Sequence, residues 1–370
     1  MNRKMIFAAV FAFAFIAAGA AFAQTADEPA QSKKAKNKSA DTESETAAAK
    51  KDETTFKVGG VLEAGFDIQN RKDRGDTQNR VIGRGEVEMS ARPVKKVRAE
   101  IGIEYNHRDT FIVVDKLYGQ YSFADFGTVR AGLMKKSFGL EERAGVDERY
   151  FHKRSIINDN LENLGFLDHD LTLQYRHELG KEWRFAGGFS WSVKDSLCYL
   201  QNYSAHYNMM DNLTFILAGI IRHYDIPELM AKNIGVAGVS VTFVSSLSAR
   251  YELPFLVSEA EFTLGTNPYI KLVEKNRDAL ILGARLQEQL PIETGAKSLR
   301  QVIPLAEAAL YFGDYESGNF EAQLRVGLAL GFAKNSAFQL RNTFGTIWDS
   351  VDGKTDVRRY RWDSEVVVVF

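Results

Sequence analysis

Segments in which apolar and polar side chains strictly alternate recur along most of this chain. In residues 57–68, for example, Leu62 and Phe66 share one face, whereas Glu63 and Asp67 share the other. The same period of two returns in residues 80–92, 96–105, 171–177, 183–193, 213–221, 280–290, 320–332 and 338–348. Because successive side chains of a strand point to opposite faces, each segment predicts a strand with one apolar and one polar face.

The chain ends on one more strand of this kind. One face carries Tyr360, Trp362, Ser364, Val366, Val368 and Phe370, and the other carries Arg359, Arg361, Asp363, Glu365, Val367 and Val369. Aromatic residues that flank an apolar band are typical of a strand with one face in lipid and the other in a polar lumen. We therefore predict that this strand pairs with residues 57–68 and closes a barrel.

The amino-terminal sequence predicts export. A positive segment, Asn2-Arg3-Lys4, precedes an apolar run that ends at the small-x-small site Ala21-Phe22-Ala23, so residues 1–23 are expected to be a signal peptide. Residues 24–55 contain no aromatic or branched aliphatic residue and predict a disordered polar tether. Residues 56–370 are then expected to be a β-barrel in the outer membrane of a Gram-negative type of cell.

Composition excludes several other classes of protein. After residue 23, no stretch approaches the ~20 consecutive apolar residues of a membrane-spanning helix. The net charge of −1 gives no sign of a nucleic-acid partner. The single cysteine, Cys198, rules out an internal disulfide. A soluble β-sandwich would show similar alternation, but export, the aromatic-flanked faces and the absence of disulfides favour the barrel.

We predict an all-β fold, a transmembrane antiparallel β-barrel of about 16 strands, with 14 or 18 as the alternatives. Bacterial single-chain barrels have even strand numbers, and about 16 strands enclose a water-filled lumen. The number of crossings between Ser245 and Arg277 stays open, because Pro254 and Pro268 interrupt the pattern there. Residues 92–95 and 124–127 predict tight turns, whereas residues 69–79, 136–165 and 224–233 predict longer loops.

The longest of these loops is rich in charge of both signs. Its basic residues are Lys135, Lys136, Arg143, Arg149, Lys153 and Arg154, and its acidic residues are Glu141, Glu142, Asp147, Glu148, Asp159 and Glu162. Loops of this length are usually functional or disordered. We favour a loop that folds into the barrel and forms a constriction, because Phe138 and Ile156 are among its apolar residues that could anchor inside. A solvated surface loop is the alternative.

The start of this loop carries a family resemblance. Residues 129–142 have the spacing Arg-x-Gly-x-x-Lys-x-x-Phe-Gly-Leu-Glu, preceded by Asp115-Lys116-Leu117-Tyr118 and followed by Asn163-Leu164-Gly165. This arrangement resembles the phosphate-selective porin O and P family over residues 56–191, and the terminal Phe370 resembles it as well. The resemblance implies a trimeric outer-membrane channel of 16 strands in which basic residues lead anions inward.

Applied to this chain, the resemblance implies a role in the pore for two sets of basic residues. The expected constriction or solute-binding residues are Arg130, Lys136, Arg143, Arg149, Lys153 and Arg154, and the expected pore-wall residues are Arg84, Arg98, Arg176 and Arg184. Directed arginine and lysine donors are what an anion pore needs. Acids match the bases nearly one for one, however, so we expect a porin for small hydrophilic or ionic solutes, with anions such as phosphate as one class.

Other functions fit the sequence less well. Ser204 and His206 share one face of a strand, as part of a hydrolase site would require, and His169 lies between two aspartates that could bind a metal. Neither pattern is specific, so we expect no enzymatic activity, no metal and no cofactor. A non-conducting structural or adhesive barrel is the main alternative. The expected partners are small solutes, outer-membrane lipid and two further copies of the chain, without nucleic acid.

Overall fold

The computed structural model describes residues 55–72, 75–107, 111–123, 127–141, 150–151, 153–167, 169–193, 198–226, 238–273, 278–296, 298–332, 337–352 and 354–370. The strands are β1 (Thr55–Arg71), β2 (Asp76–Val94), β3 (Val97–Asn106), β4 (Phe111–Phe123), β5 (Gly127–Lys135), β6 (His169–Leu179), β7 (Trp183–Trp191), β8 (Cys198–Met210), β9 (Leu213–Ile226), β10 (Gly238–Leu253), β11 (Leu256–Thr266), β12 (Leu280–Gln289), β13 (Gln301–Asp314), β14 (Asn319–Gly331), β15 (Phe338–Val351) and β16 (Lys354–Val369). Two short α-helices are α1 (Ile156–Asn163) and α2 (Pro268–Val273), and Tyr315–Ser317 forms a 3-10 turn. Among these residues, no helix has both the length and the apolar character needed to cross a membrane.

The strands form one closed antiparallel barrel. Each strand pairs with its neighbours in sequence, and β1 also pairs with β16, from Val61 opposite Val369 to Arg71 opposite Arg359. The two-residue strand Ile292–Glu293 continues β12, because both pair with β13. The barrel therefore has 16 strands in the described part of the chain, and the predicted strand number and closure are confirmed.

The predicted division into an outer apolar face and an inner polar face is visible on the closing strand. Trp362 faces outward with 42% of its surface exposed and meets Phe66 of β1 edge to face, with 5.4 Å between ring centroids. Glu365 and Asp363 face inward and are buried. An edge-to-face pair across the β1–β16 seam adds side-chain contact to the hydrogen bonds that close the ring.

Two connections differ from the sequence prediction. Most of residues 69–79 are strand and not loop, because β1 continues to Arg71, β2 begins at Asp76, and these two residues lie opposite each other. Polar residues can extend a strand beyond the apolar band, since the backbone ladder does not depend on side-chain hydropathy. The predicted turn at residues 92–95 lies later, after β2 ends at Val94, and the register of β2 with β3 shifts between Ala91 and Val94.

The region that sequence reasoning left open contains two crossings. Strands β10 and β11 are joined by a tight turn that contains Pro254, and Pro268 begins helix α2. Both positions suit proline, which fits turns and the first residue of a helix because it lacks a backbone donor.

The inner surface of the barrel has two sectors. The inward side chains of β8–β10 and β12–β14 include many buried apolar residues: Leu200, Ile216, Ala218, Ile220, Val244, Ile281, Ile303, Leu305, Ala309 and Ala329. The inward side chains of β16 and β1–β4 are largely charged: Arg361, Asp363, Glu63, Asp67, Arg84, Glu86, Glu88, Arg98, Glu100, Glu104 and Lys116. The charged sector suits contact with water, whereas the apolar residues of the other sector need cover.

Candidate functional site

The connection between β5 and β6 enters the barrel, as predicted. We call residues 136–141, 150–151 and 153–167 the infolded loop. Its helix α1 begins after Ser155, whose hydroxyl accepts a bond from the backbone N–H of Asn158 at 3.4 Å and caps the helix. Gly139 (φ +53°) and Gly165 (φ +77°) adopt left-handed conformations at its two ends. A Cβ at Gly139 would lie 2.7 Å from a carboxylate oxygen of Glu261, so glycine is required there.

Apolar side chains hold the infolded loop against the apolar sector. Phe138, Leu161 and Phe166 are completely buried, and they pack in one cluster with inward residues of β8, β9, β10, β12 and β13. A second cluster joins Phe151 to inward residues of β13 and β14. Burial of each such side chain contributes about 1.5–3 kcal/mol. The loop therefore fills one side of the barrel.

A buried ionic network fixes the same loop. Glu141 accepts hydrogen bonds from Ser155 N (2.7 Å), Ser155 Oγ (2.6 Å) and Asn158 Nδ2 (2.7 Å), and it lies 3.8 Å from Arg325 Nη2. Burial alone would raise the pKa of Glu141. The guanidinium groups of Arg285 and Arg325 and the Ser155 donors outweigh burial and hold this pKa below its usual value.

Arg325 of β14 links the loop to the wall. Its Nη1 donates to the backbone oxygen of Arg154 at 3.2 Å, and its guanidinium lies 4.3 Å from the ring centroid of Phe151. It also pairs with Glu307, which accepts a further bond from Arg285 Nε at 2.9 Å. Backbone, ring and carboxylate contacts thus converge on one side chain.

A polar pocket of about 420 Å³ separates the infolded loop from the charged sector. The barrel wall supplies Gln69, Arg71, Arg80, Arg359 and Arg361, and the loop supplies Lys153, Asp159, Glu162 and Asn163. The wall side is therefore basic, and the loop side carries two carboxylates and one ammonium group. We call this space the constriction pocket.

Opposite charges on the two sides of the constriction pocket create a field across it. On the wall, Arg361 is neutralised by Asp67 (3.0 Å) and Asp363 (2.7 Å). On the loop, the side chain of Asp159 is open to the pocket, but the protein around it desolvates the carboxylate and raises its pKa to about 6, with Lys153 acting against the shift and Glu141 adding to it. The loop carboxylate thus changes charge in a pH range close to neutrality.

The predicted constriction residues divide between several places. Lys153 lines the constriction pocket, and Arg154 pairs with Glu162 at 3.0 Å. Lys136 is 2% exposed and forms a buried ion pair with Asp170 at 2.5 Å, away from the constriction pocket. Arg130 lies at the other end of the strands from the constriction pocket. Arg143 and Arg149 lie outside the described residues.

The predicted wall arginines are spread along the strands. Arg84 pairs with Glu104 at 2.7 Å, and Arg98 pairs with Glu100 at 2.6 Å. Arg176 bonds to a glutamine of its own strand. Arg184 lies exposed near the start of β7. The structure does not gather these four residues into one cluster.

Sequence reasoning missed the arginines that line the constriction pocket. Arg71 and Arg80 flank the turn that was assigned to a long loop, although the inward alternation of Asp67 and Gln69 continues directly to Arg71. The sequence analysis places Arg359 and Arg361 on the polar face of the last strand, but it assigns them no part in a site. If the alternation of inward and outward side chains is extended beyond the apolar band, it places all four of these arginines on the inner face.

The residues considered above for catalysis and metal binding interact with other side chains in the structure. Ser204 Oγ lies 2.9 Å from Ser137 Oγ of the infolded loop. His169 Nε2 pairs with Asp115 at 3.1 Å, whereas Asp170 pairs with Lys136. Within the described ranges, no group of three or more His, Cys, Asp and Glu side chains could hold a metal ion.

Comparison with known proteins gives matches of fold only. No protein-family model matches the sequence, and no curated protein sequence matches it. The anion-selective porin from Comamonas acidovorans superposes with a TM-score of 0.61 at 10% identity, over 86% of this chain and 100% of that chain. The outer membrane channel DcaP of Acinetobacter baumannii gives 0.62 at 9% identity, over 86% and 97%. OmpF of Salmonella typhi, in complex with daunomycin, gives 0.59 at 9% identity, over 85% and 97%. The chain therefore has the fold of the porins.

Proposed function

We propose that this protein is an outer-membrane porin through which small hydrophilic and ionic solutes diffuse passively. The observation that carries the proposal is the constriction pocket, where an infolded loop leaves a polar gap beside a charged wall. Its fold neighbours include an anion-selective porin and an outer membrane channel. Export by residues 1–23, residence in the outer membrane and assembly as a homotrimer belong to the same proposal.

The charges favour a weakly selective pore over a strict anion filter. Arginines on the wall face carboxylates on the loop, and an anion filter would instead surround the ion with donors. A transverse field of this kind admits ions of both signs along opposite sides of the gap. Phosphate is one admissible solute in this proposal, without being its defining substrate.

Planar-bilayer recording tests the proposal. Folded protein should give stepwise conductance, and a tenfold KCl gradient should give a reversal potential that is small compared with that of an ideally selective pore. Arg71→Gln combined with Arg80→Gln should shift this potential toward cation preference, because two wall charges are removed. Folded barrels that give no conductance steps would contradict the porin proposal and favour the structural alternative.

A further inference from the structure

Two amide side chains flank a glycine on the inner wall of the barrel. Gln174 of β6 lies opposite Gly188 of β7, and Gly188 lies opposite Asn202 of β8. Gln174 is completely buried, and Asn202 is 3% exposed. A Cβ at Gly188 would lie 3.0 Å from Asn202 Oδ1, so the glycine leaves the space that the amide of Asn202 occupies. We call these three residues the amide row.

A chain of hydroxyl groups fixes which way the amide of Asn202 points. Thr172 Oγ1 donates to the backbone oxygen of Asp170 at 3.1 Å, so its contact with Ser190 Oγ at 2.8 Å uses the Ser190 proton. Ser190 Oγ then accepts at its contact with Asn202, where Asn202 Nδ2 donates at 3.0 Å. The other end of the amide, Asn202 Oδ1, makes no hydrogen bond within the described residues.

The orientation of the Gln174 amide is fixed by its neighbour on the same strand. Arg176 Nε donates to Gln174 Oε1 at 2.6 Å, and the glutamine must turn its oxygen toward Arg176 because a guanidinium group has no acceptor. The Nε2 of Gln174 makes no hydrogen bond with any described residue. The amide row thus has one buried donor and one buried acceptor without partners, on the two strands beside Gly188. Such atoms are unfavourable unless water or a ligand completes their hydrogen bonds.

The amide row borders the lumen. Phe185 and Trp191 of β7 are exposed on the outer face of the barrel. Ala186 and Gly188, at alternate positions of the same strand, therefore face inward, and both are partly exposed. A solute in the lumen meets the row at Gly188. The row shares no residue with the constriction pocket, and its two unpartnered atoms belong to neutral groups.

We propose that the amide row binds a hydroxyl group of a neutral polyhydroxylated solute, a sugar or a sugar alcohol, on its way through the pore. A hydroxyl group donates and accepts at once, so it matches Asn202 Oδ1 and Gln174 Nε2 together. An anion would match only the donor and meet the lone pairs of the acceptor, and a cation would do the reverse. The inference rests on the proposed porin function for access to the lumen, and it deepens that function by naming a class of solute.

An ordered water molecule is the competing occupant of the amide row, because water has the same donor and acceptor chemistry. A hydroxyl group of a polyol reproduces both hydrogen bonds of such a water, so the exchange of one for the other loses no bond. The experiment must therefore detect the solute itself and show that it needs the two free amide atoms.

Sorbitol is the probe, and its binding is first measured without reliance on conductance. Saturation-transfer NMR on the full-length folded protein in detergent should show transfer to sorbitol, with a signal that saturates as sorbitol is added. Tetraethylene glycol dimethyl ether accepts hydrogen bonds but donates none, so it should give no saturable transfer. In planar bilayers, sorbitol should lower the step conductance along a saturating curve, whereas the ether at equal viscosity should lower it linearly.

Substitutions test the two free amide atoms. Gln174→Leu should raise the half-saturating sorbitol concentration by about tenfold, as expected for the loss of one neutral hydrogen bond. The matched control is Gln120→Leu, which should change this concentration little. Gln120 Oε1 also accepts from an arginine, from Arg130 Nε at 2.8 Å, but Gln120 Nε2 has a partner in Ser122 Oγ at 3.4 Å. Asn202→Leu removes the acceptor of the row and serves if Gln174→Leu fails to fold.

Failure of this inference and failure of the porin proposal give different results. Saturable sorbitol binding without conductance steps would contradict the porin proposal and leave the amide row as a binding site. Normal conductance without saturable sorbitol binding would overturn the inference alone and leave an ordered water only. Equal weakening by Gln174→Leu and Gln120→Leu, or an equal response to sorbitol and the ether, would also overturn it. Step conductance without added solute verifies that each variant forms a barrel.

Discussion

At the scale of single residues, the charge of Asp159 depends on its position in the fold. It lies on α1 of the infolded loop and faces the basic wall across the constriction pocket. Its side chain is open to the pocket, but the surrounding protein desolvates the carboxylate and raises its pKa to about 6, and the charged groups around it are Lys153, Glu141, Arg325 and Glu162. The same aspartate on a loop in bulk water would have a pKa of about 4 and keep its charge further into the acid range.

Selectivity should therefore change as pH falls through about 6. Asp159 is ionised above this value and neutral below it, so the loop side loses one negative charge at low pH. We expect the anion-to-cation permeability ratio, measured from reversal potentials in a KCl gradient, to rise between pH 7.5 and pH 5. In Asp159→Asn the ratio should already be high at pH 7.5 and should change less over this interval. A wild-type pH response in this variant would assign the titration to another group.

At the scale of elements, the infolded loop is positioned by contacts that bring distant strands together. Glu141 at its start bonds to Ser155 at the beginning of α1, and Arg325 joins both to β14. Removing one partner of a buried ionic network is costly, because the remaining charges stay buried without compensation. The hydrogen-bonded ladder of the barrel does not depend on these side chains.

Glu141→Gln should loosen the loop without opening the barrel. Loss of the buried charge should lower the local opening free energy of α1 by about 3 kcal/mol, roughly a hundredfold in opening equilibrium. Hydrogen exchange read by mass spectrometry should show faster exchange in residues 153–164 and unchanged exchange in the β strands. Glu162→Gln is the matched control. Its side chain is 38% exposed and pairs with Arg154, so its loss should change exchange within ~1 kcal/mol. Equal exchange in both variants would contradict the anchoring role of Glu141.

At the scale of the whole molecule, the two inner sectors bear on where water and ions would pass in the proposed porin. The apolar sector is covered by the infolded loop, and the charged sector of β16 and β1–β4 faces the remaining space. A water-filled lumen against completely buried Ile220 or Ile281 would expose apolar surface and is unfavourable. The conducting path should therefore run beside the charged sector, away from the centre of the barrel.

Cysteine accessibility tests the position of this path. Glu88→Cys places a thiol on the charged sector, where the native side chain is 42% exposed, and a charged thiol reagent should react with it and reduce conductance. Ala218→Cys, completely buried beneath the infolded loop, should react at least a hundredfold more slowly. The native Cys198 is buried and contributes little background. Similar reaction rates at both positions would mean that the loop does not cover the apolar sector.

The sequence correctly predicted the features of the fold that depend on strand periodicity. Alternation predicted the strands, the closing pair and the inward faces, because burial in a barrel depends on the parity of each residue. The polar composition of residues 69–79 predicts a loop, whereas β1 and β2 extend into this segment. For this reason the sequence prediction does not include Arg71 and Arg80 among the site residues. The buried pair of Lys136 with Asp170 could not be predicted either, because a charge next to a loop gives no sign of a partner 34 residues away.

The sequence by itself determined an antiparallel barrel of about 16 strands with a long infolded loop, since local alternation and strand length follow from residue order. Only the tertiary structure decided which wall the loop covers, which arginines face its carboxylates and which donors lack acceptors. Those relations join residues far apart in the chain, such as Glu141 with Arg325 and Asp159 with Arg359. They depend on the register of every strand between them, because a shift of one residue would turn each side chain to the opposite face.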